Sequence, residues 1–377
     1  MNRLLIRSAR VVTETEVLEG ADVLCDAGRI VEIGKGLSAG ESASVINAEG
    51  RYLLPGFLDV HIHGGGRHDT MTGTIEALNG LCDTHARYGT TGLLATTITQ
   101  SNEAVSAALK AAAACTHPIL RGIHLEGPYI SPEKPGAQPK QFVRDYDEAE
   151  FTGWLADAAG RMLRITLAPE QPGAEALIER CRAEGIAISL GHTDASAAQL
   201  TAALDICGQA DATHLFNAMN GIHHRKPGPV PVFLTDPRCH VEIIADGHHV
   251  APEVIAMAVR AAGVERVIAI TDAMEGAGVG DGVYGLGGHR VTVTDGRATL
   301  PDGTLAGSVL TMDQAARNLK TWCDLTWPEV ARITASNAAD RHGWKSKGRI
   351  TLGCDADLVL VDDNVTVHRT IVAGQPL

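Results

Sequence analysis

Three features of the sequence predict a closed parallel barrel, a (β/α)8 TIM-barrel fold, with a small β-sandwich domain formed by both termini. Apolar runs alternate with Ala-rich helical stretches through the middle of the 377 residues. The two chain ends are β-rich and unlike that middle. Histidines and carboxylates recur where the apolar runs stop. Catalytic groups of such barrels sit at the C-terminal ends of the strands, so the third feature supports the first. On this reading 1–52 and 349–377 form the sandwich, and 53–348 form the barrel.

At the N-terminus, 3–7 and 9–13 read as short strands, and 21–25 and 29–33 as a hairpin across Asp26-Ala27-Gly28. Residues 356–361 and 366–372 look alike and complete the same small domain. Barrel strands are expected at 56–61, 91–97, 119–125, 163–167, 186–190, 210–215, 241–245 and 266–271. Intervening stretches such as 102–114, 174–184, 195–205 and 252–262 have helical composition and length. The strand runs read as uniformly apolar, which fits burial on both faces of a parallel sheet.

Composition narrows the function. Hydrophobic residues make up 45% of the chain, enough for a large core and too many for disorder. A net charge of −13 without a basic run excludes nucleic-acid binding as the main task. A small anionic substrate remains open, because it needs only one or two local positive groups. The 8 cysteines form no C-x-x-C pair and read as reduced, mostly buried thiols of a cytoplasmic protein. No signal-like segment precedes the first strand, and no apolar run approaches the roughly 18 residues of a bilayer span, so no membrane role is expected.

The organising stretch is Pro55-Gly56-Phe57-Leu58-Asp59-Val60-His61-Ile62-His63-Gly64-Gly65-Gly66. In a strand, His61 and His63 point to one side, a geometry suited to chelation. Later strands end in His124-Leu125-Glu126-Gly127-Pro128, Gly191-His192-Thr193, Thr213-His214-Leu215-Phe216-Asn217, Asp246-Gly247-His248-His249 and Thr271-Asp272. Packing alone does not explain the same phase recurring at strand after strand. Imidazole and carboxylate donors suit zinc, with iron or manganese as alternatives. Glu126, His192 and His214 form the best three-ligand set, and His61 and His63 complete a second site with Glu126 or a water between. His124 faces the same way and reads as packing or support. A bound divalent ion acidifies water, and Asp272 stands where a base is needed to move its proton. Asp272 also suits a helix N-cap or a ligand. The natural reaction is hydrolysis of an amide or related C–N bond.

These motifs, with Ala218-Met219, Val250, Ala273 and Leu305-Ala306-Gly307-Ser308, resemble the amidohydrolase superfamily over nearly the whole length. Within it the chain resembles most closely the N-acetylglucosamine-6-phosphate deacetylases. The ordered pair HLEGP and HLFNAM is the most specific part. The resemblance implies the barrel with its sandwich, Glu126, His192 and His214 as metal ligands, and Asp272 as general acid/base. It implies that Asn217 and Ala218 meet a substrate phosphate together with Arg225, and that His249 contacts the sugar. It further implies one or two divalent ions (zinc, or Fe2+, Mn2+ or Co2+), a phosphorylated amino-sugar substrate and a homodimer with the site near the interface. One departure stands out. Where relatives carry Gly-Ala-His, this chain has Gly136-Ala137-Gln138, and Gln138 donates a hydrogen bond without carrying charge. The reading is therefore hydrolysis of the acetamide of N-acetyl-D-glucosamine 6-phosphate, with another N-acyl amino sugar, such as N-acetylgalactosamine 6-phosphate, as the alternative. Strand four ends in Leu167-Ala168-Pro169-Glu170 without the bridging lysine of dihydroorotases and hydantoinases. A non-catalytic scaffold is the remaining rival, and it is disfavoured because ligands and base are all present.

Overall fold

The computed structural model describes residues 3–38, 40 and 43–377. Eight parallel strands form the central sheet: β1 (Phe57–Ile62), β2 (Thr90–Thr96), β3 (Leu120–Glu126), β4 (Met162–Leu167), β5 (Ala187–Leu190), β6 (Ala210–Ala212), β7 (Cys239–Ile244) and β8 (Val267–Ile270). Each pairs with the next in chain order. A helix follows every strand: Ile75–Ala86, Asn102–Ala114, Glu148–Ala158, Ala174–Ala183, Ala197–Cys207, Val230–Thr235, Pro252–Ala262 and Met312–Trp322. One apolar core joins the strands to the buried faces of these helices, as with Val105, Leu109 and Ala112.

Local chemistry sets the ends. The helix expected from 195 begins at Ala197 because Ser196 caps it, accepting from the Gln199 N–H while the Gln199 side chain accepts from the Ser196 N–H. The strands expected at 3–7 and 9–13 are one strand, Leu4–Val12, kinked at Ser8, whose φ is 55° and whose N–H donates to Asp22. The kink divides its partners. Leu4–Arg7 pairs with Ser44–Asn47, and Arg10–Val11 pairs with Tyr52–Pro55. Both arms of that fork share one apolar cluster that includes Ile6, Val11, Val23, Leu53, Leu358 and Ile371. Strands Leu358–Val361 and Val367–Val372 extend this sheet from the C-terminal end through Tyr52–Pro55.

Three features depart from the expectation. First, the barrel strands are not uniformly apolar. Asp59, Arg164, Asp211 and Glu242 lie inside them at 0% exposure. Such charges are tolerated only when paired or hydrogen-bonded, and all four are. Second, an antiparallel sheet of Gly282–Leu286, His289–Thr294 and Arg297–Thr299 is inserted between β8 and its helix. Third, β8 meets β1 through bonds near and beyond the strand ends. Asp272 N–H donates to the His61 carbonyl at 2.9 Å and His63 N–H to the Ala273 carbonyl at 2.9 Å. The Asp59 carboxylate accepts from Thr271 Oγ1 at 2.6 Å and from Thr271 N–H at 3.2 Å.

The cysteines are unpaired and, except Cys323, buried. No helix among the described residues is long and apolar enough to cross a membrane. Asp59→Ala removes the acceptor shared by two buried Thr271 donors. It is expected to cost at least about 2 kcal/mol of unfolding free energy in urea denaturation, at roughly 1–3 kcal/mol for each donor left unpaired; an unchanged midpoint contradicts the role given to this seam.

Candidate active site

The C-terminal mouth of the barrel gathers the histidines and carboxylates that the sequence places at strand ends. His61 and His63 come from the end of β1, Glu126 ends β3, and His192, His214 and Asp272 follow β5, β6 and β8. Glu126 is the hub. Its Oε1 lies 3.3 Å from His61 Nε2, 3.2 Å from His192 Nε2 and 3.3 Å from His214 Nε2. Its Oε2 lies 3.3 Å from His63 Nε2. Asp272 Oδ1 is 3.1 Å from His63 Nε2 and 3.7 Å from His61 Nε2.

The chain turns these rings so that Nε2 faces inward. His61 Nδ1 donates to Glu242 Oε2 (3.1 Å), His63 Nδ1 to the Thr96 carbonyl (3.3 Å) and His192 Nδ1 to the Lys134 carbonyl (3.0 Å). With the proton on Nδ1, Nε2 carries a lone pair. His192 Nε2 and His214 Nε2 are only 3.0 Å apart, a distance that requires a proton or a cation between the two nitrogens. Donors separated by about 3.3 Å are spaced like the corners of a tetrahedron with bonds of roughly 2.0–2.1 Å, the length of zinc–imidazole bonds. Two overlapping groups meet the ligand requirement, His61–His63–Glu126 and Glu126–His192–His214. The residues fit a divalent metal.

The electrostatics agree. Burial opposes charge on His61 and His63, yet Glu126 and Asp272 beside them outweigh it and raise both imidazoles, His63 to about 10. Burial likewise raises Glu126 and Asp272, and the neighbouring histidines overcome it and hold both carboxyls low. The site demands positive charge among its donors.

Holding the groups costs backbone strain. His192, His214 and Asp272 have φ of 46°, 29° and 49°, a region that costs a side-chain-bearing residue about 1–3 kcal/mol. Fixed hydrogen bonds hold the turns in place. Asp272 donates its N–H to the His61 carbonyl, and its own carbonyl accepts from Ser308 N–H at 2.7 Å. His214 N–H donates to Glu242 Oε2 at 3.0 Å, and Asn217 N–H and Nδ2 donate to the His214 carbonyl. Gly307, at φ 58°, is required where Ser308 reaches Asp272, because a Cβ there would lie 3.1 Å from the Asp272 carbonyl.

A cavity of about 230 Å³ opens on the cluster, lined also by Gln138, Asn217, Ala218, His249 and Leu286. Gln138 is oriented by its partners. Thr99 N–H can only donate, so Oε1 faces it at 2.6 Å, and the amide NH2 donates to Glu126 Oε2 at 2.7 Å. His249 Nδ1 donates to Asp246 at 2.7 Å, while His248 is exposed. His124 packs against the His61 ring at 4.6 Å and bonds Thr166, taking no place among the inward donors. Arg225 does not line this cavity within the single chain. It lies exposed in an outer cleft with His223 and Lys226, its guanidinium 2.6 Å from His224 Nε2. The sequence reading passes over Glu242, Arg164, Thr96, Lys134 and Leu286. The one signal for the charged pair was a lone charge inside an apolar run, as at Val241-Glu242-Ile243.

The sequence profile of the amidohydrolase family matches residues 52–377. An N-acetylglucosamine-6-phosphate deacetylase of Bacillus subtilis (strain 168) is 41% identical, the alignment covering 98% of this chain and 96% of that one. An N-acetylgalactosamine-6-phosphate deacetylase of Escherichia coli O157:H7 is 33% identical over 98% of each. Among solved structures, a variant N-acetyl-D-glucosamine-6-phosphate deacetylase of Mycobacterium smegmatis in complex with N-acetyl-D-glucosamine-6-phosphate superposes with a TM-score of 0.93. It shares 33% identity over 100% of this chain and 99% of that one.

Gly307→Ala is expected to lower stability by about 1–2 kcal/mol, the cost of a Cβ in left-handed backbone. Thermal unfolding measures it; an unchanged transition argues against the close approach described for this turn.

Proposed function

The chain belongs to the amidohydrolase family, and from that footing we propose that it hydrolyses the N-acetyl group of N-acetyl-D-glucosamine 6-phosphate, giving D-glucosamine 6-phosphate and acetate. The observation that carries this reading is a base beside an ion-binding cluster in one cavity: Asp272 Oδ1 faces His63 at 3.1 Å, with Glu126, His192 and His214 opposite. In the proposal Glu126, His192 and His214 hold one divalent ion, zinc by ligand chemistry, and His61 and His63 with Glu126 hold a second. When bound, the metal supplies Lewis acidity and brings the pKa of a water toward neutrality.

The protein's own groups do the rest. Asp272, held ionised by its surroundings, accepts a proton from the attacking water and returns it to the amine nitrogen as the C–N bond breaks. One Gln138 N–H is engaged by Glu126, and the second is free to donate to the acetyl oxygen as it gains charge. That donor is neutral at every pH, so more of the stabilisation falls on the metal than with a cationic histidine. His249, fixed by Asp246, meets the sugar, and Asn217 and Ala218 meet the phosphate end. Arg225 has no carboxylate partner among the described residues and lies outside the single-chain cavity. A homodimer that carries one protomer's Arg225 to its partner's phosphate satisfies both facts. The setting proposed is cytoplasmic. The galacto epimer is the second reading, favoured by the Escherichia coli relative.

Three outcomes test the proposal. Chelation abolishes deacetylation and zinc restores it, whereas Glu126→Ala retains almost no metal by elemental analysis; full metal content in that variant removes Glu126 as the hub. Asp272→Asn keeps metal and lowers kcat by about 10²–10⁴-fold; near-normal turnover removes Asp272 from proton transfer. Arg225→Ala raises KM for the phosphorylated sugar by roughly 10-fold or more, the worth of a charge-assisted hydrogen bond, with KM for the unphosphorylated sugar unmoved; an unchanged KM for both places the phosphate elsewhere.

A further inference from the structure

Among the inward-facing histidines, His61 alone has a carboxylate behind it. His63 and His192 donate Nδ1–H to backbone carbonyls, and His214 Nδ1 has no hydrogen-bond partner among the described residues. Glu242, at 0% exposure, accepts from His61 Nδ1 at 3.1 Å and with the same Oε2 from the His214 backbone N–H at 3.0 Å. Its other oxygen accepts from Arg164 Nη2 at 2.5 Å. Arg164 is itself sealed in the barrel, its Nη1 2.7 Å from Asp211, which Arg341 Nε meets at 2.7 Å. The chain of alternating charge spans β4, β6 and β7 beneath the site. A buried carboxylate is retained in such a place only when its charges are paired. Here its one unpaired duty is to the ligand side of the barrel.

We propose that Glu242, locked by Arg164, is the positioning residue that sets the affinity of the His61–His63–Glu126 group for its ion. A carboxylate accepting from Nδ1 fixes the tautomer, aims Nε2 at Glu126 and makes the imidazole a stronger donor than a carbonyl does. The Glu126–His192–His214 group receives from Glu242 only a backbone bond, so its ion depends on Glu242 much less. Glu242 thus makes the two ion sites unequal. The inference rests on the divalent-metal reading above. Its readout is metal binding, so a chain that binds ions as described and fails to deacetylate overturns the substrate and leaves this inference standing.

The test is zinc titration of the metal-stripped full chain against a chelating dye, with the cobalt absorption spectrum as a second signature. The wild type is expected to take up two ions. Glu242→Gln is expected to weaken one of them 10–100-fold and the other by less than about twofold. Glu242→Asp keeps the charge facing Arg164, draws the carboxylate back from His61 and shows the same selective loss, which decides the matter if the glutamine variant fails to fold. His61→Asn loses the same ion, and adding Glu242→Gln to it costs nothing further. Equal weakening of both ions, unchanged affinity in a folded Glu242 variant, or additive loss in the double variant overturns the proposal. A wild type that saturates with a single zinc ion, or histidine 15N shifts showing His61 ligated through Nδ1, overturns it without any variant.

Discussion

Closure of the barrel between its first and last strands is the constraint on which the site rests. His61 and Asp272 stand 211 positions apart in sequence, yet the Asp272 N–H donates to the His61 carbonyl at 2.9 Å. The Asp59 carboxylate bonds Thr271 from two residues before His61. Asp272 and the first histidine pair are therefore two edges of one seam, and their side chains cannot drift apart without opening it. Parallel pairing of each strand with the next carries the other donors around the same ring of strand ends.

The second constraint is electrostatic. Four imidazoles converge on one carboxylate at the buried floor of the cavity, and neither species tolerates that burial alone. The backbone pays with left-handed residues at His192, His214 and Asp272. Strain of this kind persists only where surrounding bonds over-determine the turn. Here Ser308 N–H bonds the Asp272 carbonyl, Glu242 and Asn217 bond the backbone of His214, and Ser131 N–H bonds the His192 carbonyl at 2.9 Å.

The sequence made the architecture and the meeting of the strand-end residues legible for a physical reason. Metal-ligating residue types are conspicuous where an apolar run stops, and period-two alternation tells which of them share a side. Arg164, Asp211 and Glu242 were not legible, because a single charge within an apolar run reads as an interruption. Its partner lies 78 positions away for Arg164 and Glu242 and 130 for Asp211 and Arg341, and only the fold brings each pair together. The inserted sheet left a fainter trace. Tyr284 and Leu286, then Val291 and Val293, alternate inward on either side of Gly287-Gly288, whose φ of 57° and 86° suit a two-residue hairpin turn. The position of Arg225 was not legible either: it lies in an outer cleft and not on the cavity.

That inserted sheet separates two design problems. Its small apolar cluster, Tyr284, Val291, Val293 and Ala298 packed with Met274 and Ile98, is distinct from the main barrel core. It contributes Leu286 to the cavity wall from outside the ring of strands that carries the donors. A substitution at Leu286 therefore reshapes the cavity wall without replacing any residue of the donor cluster. Pocket contour and donor placement thus draw on two different stretches of the fold, the inserted hairpin and the ring of strand ends.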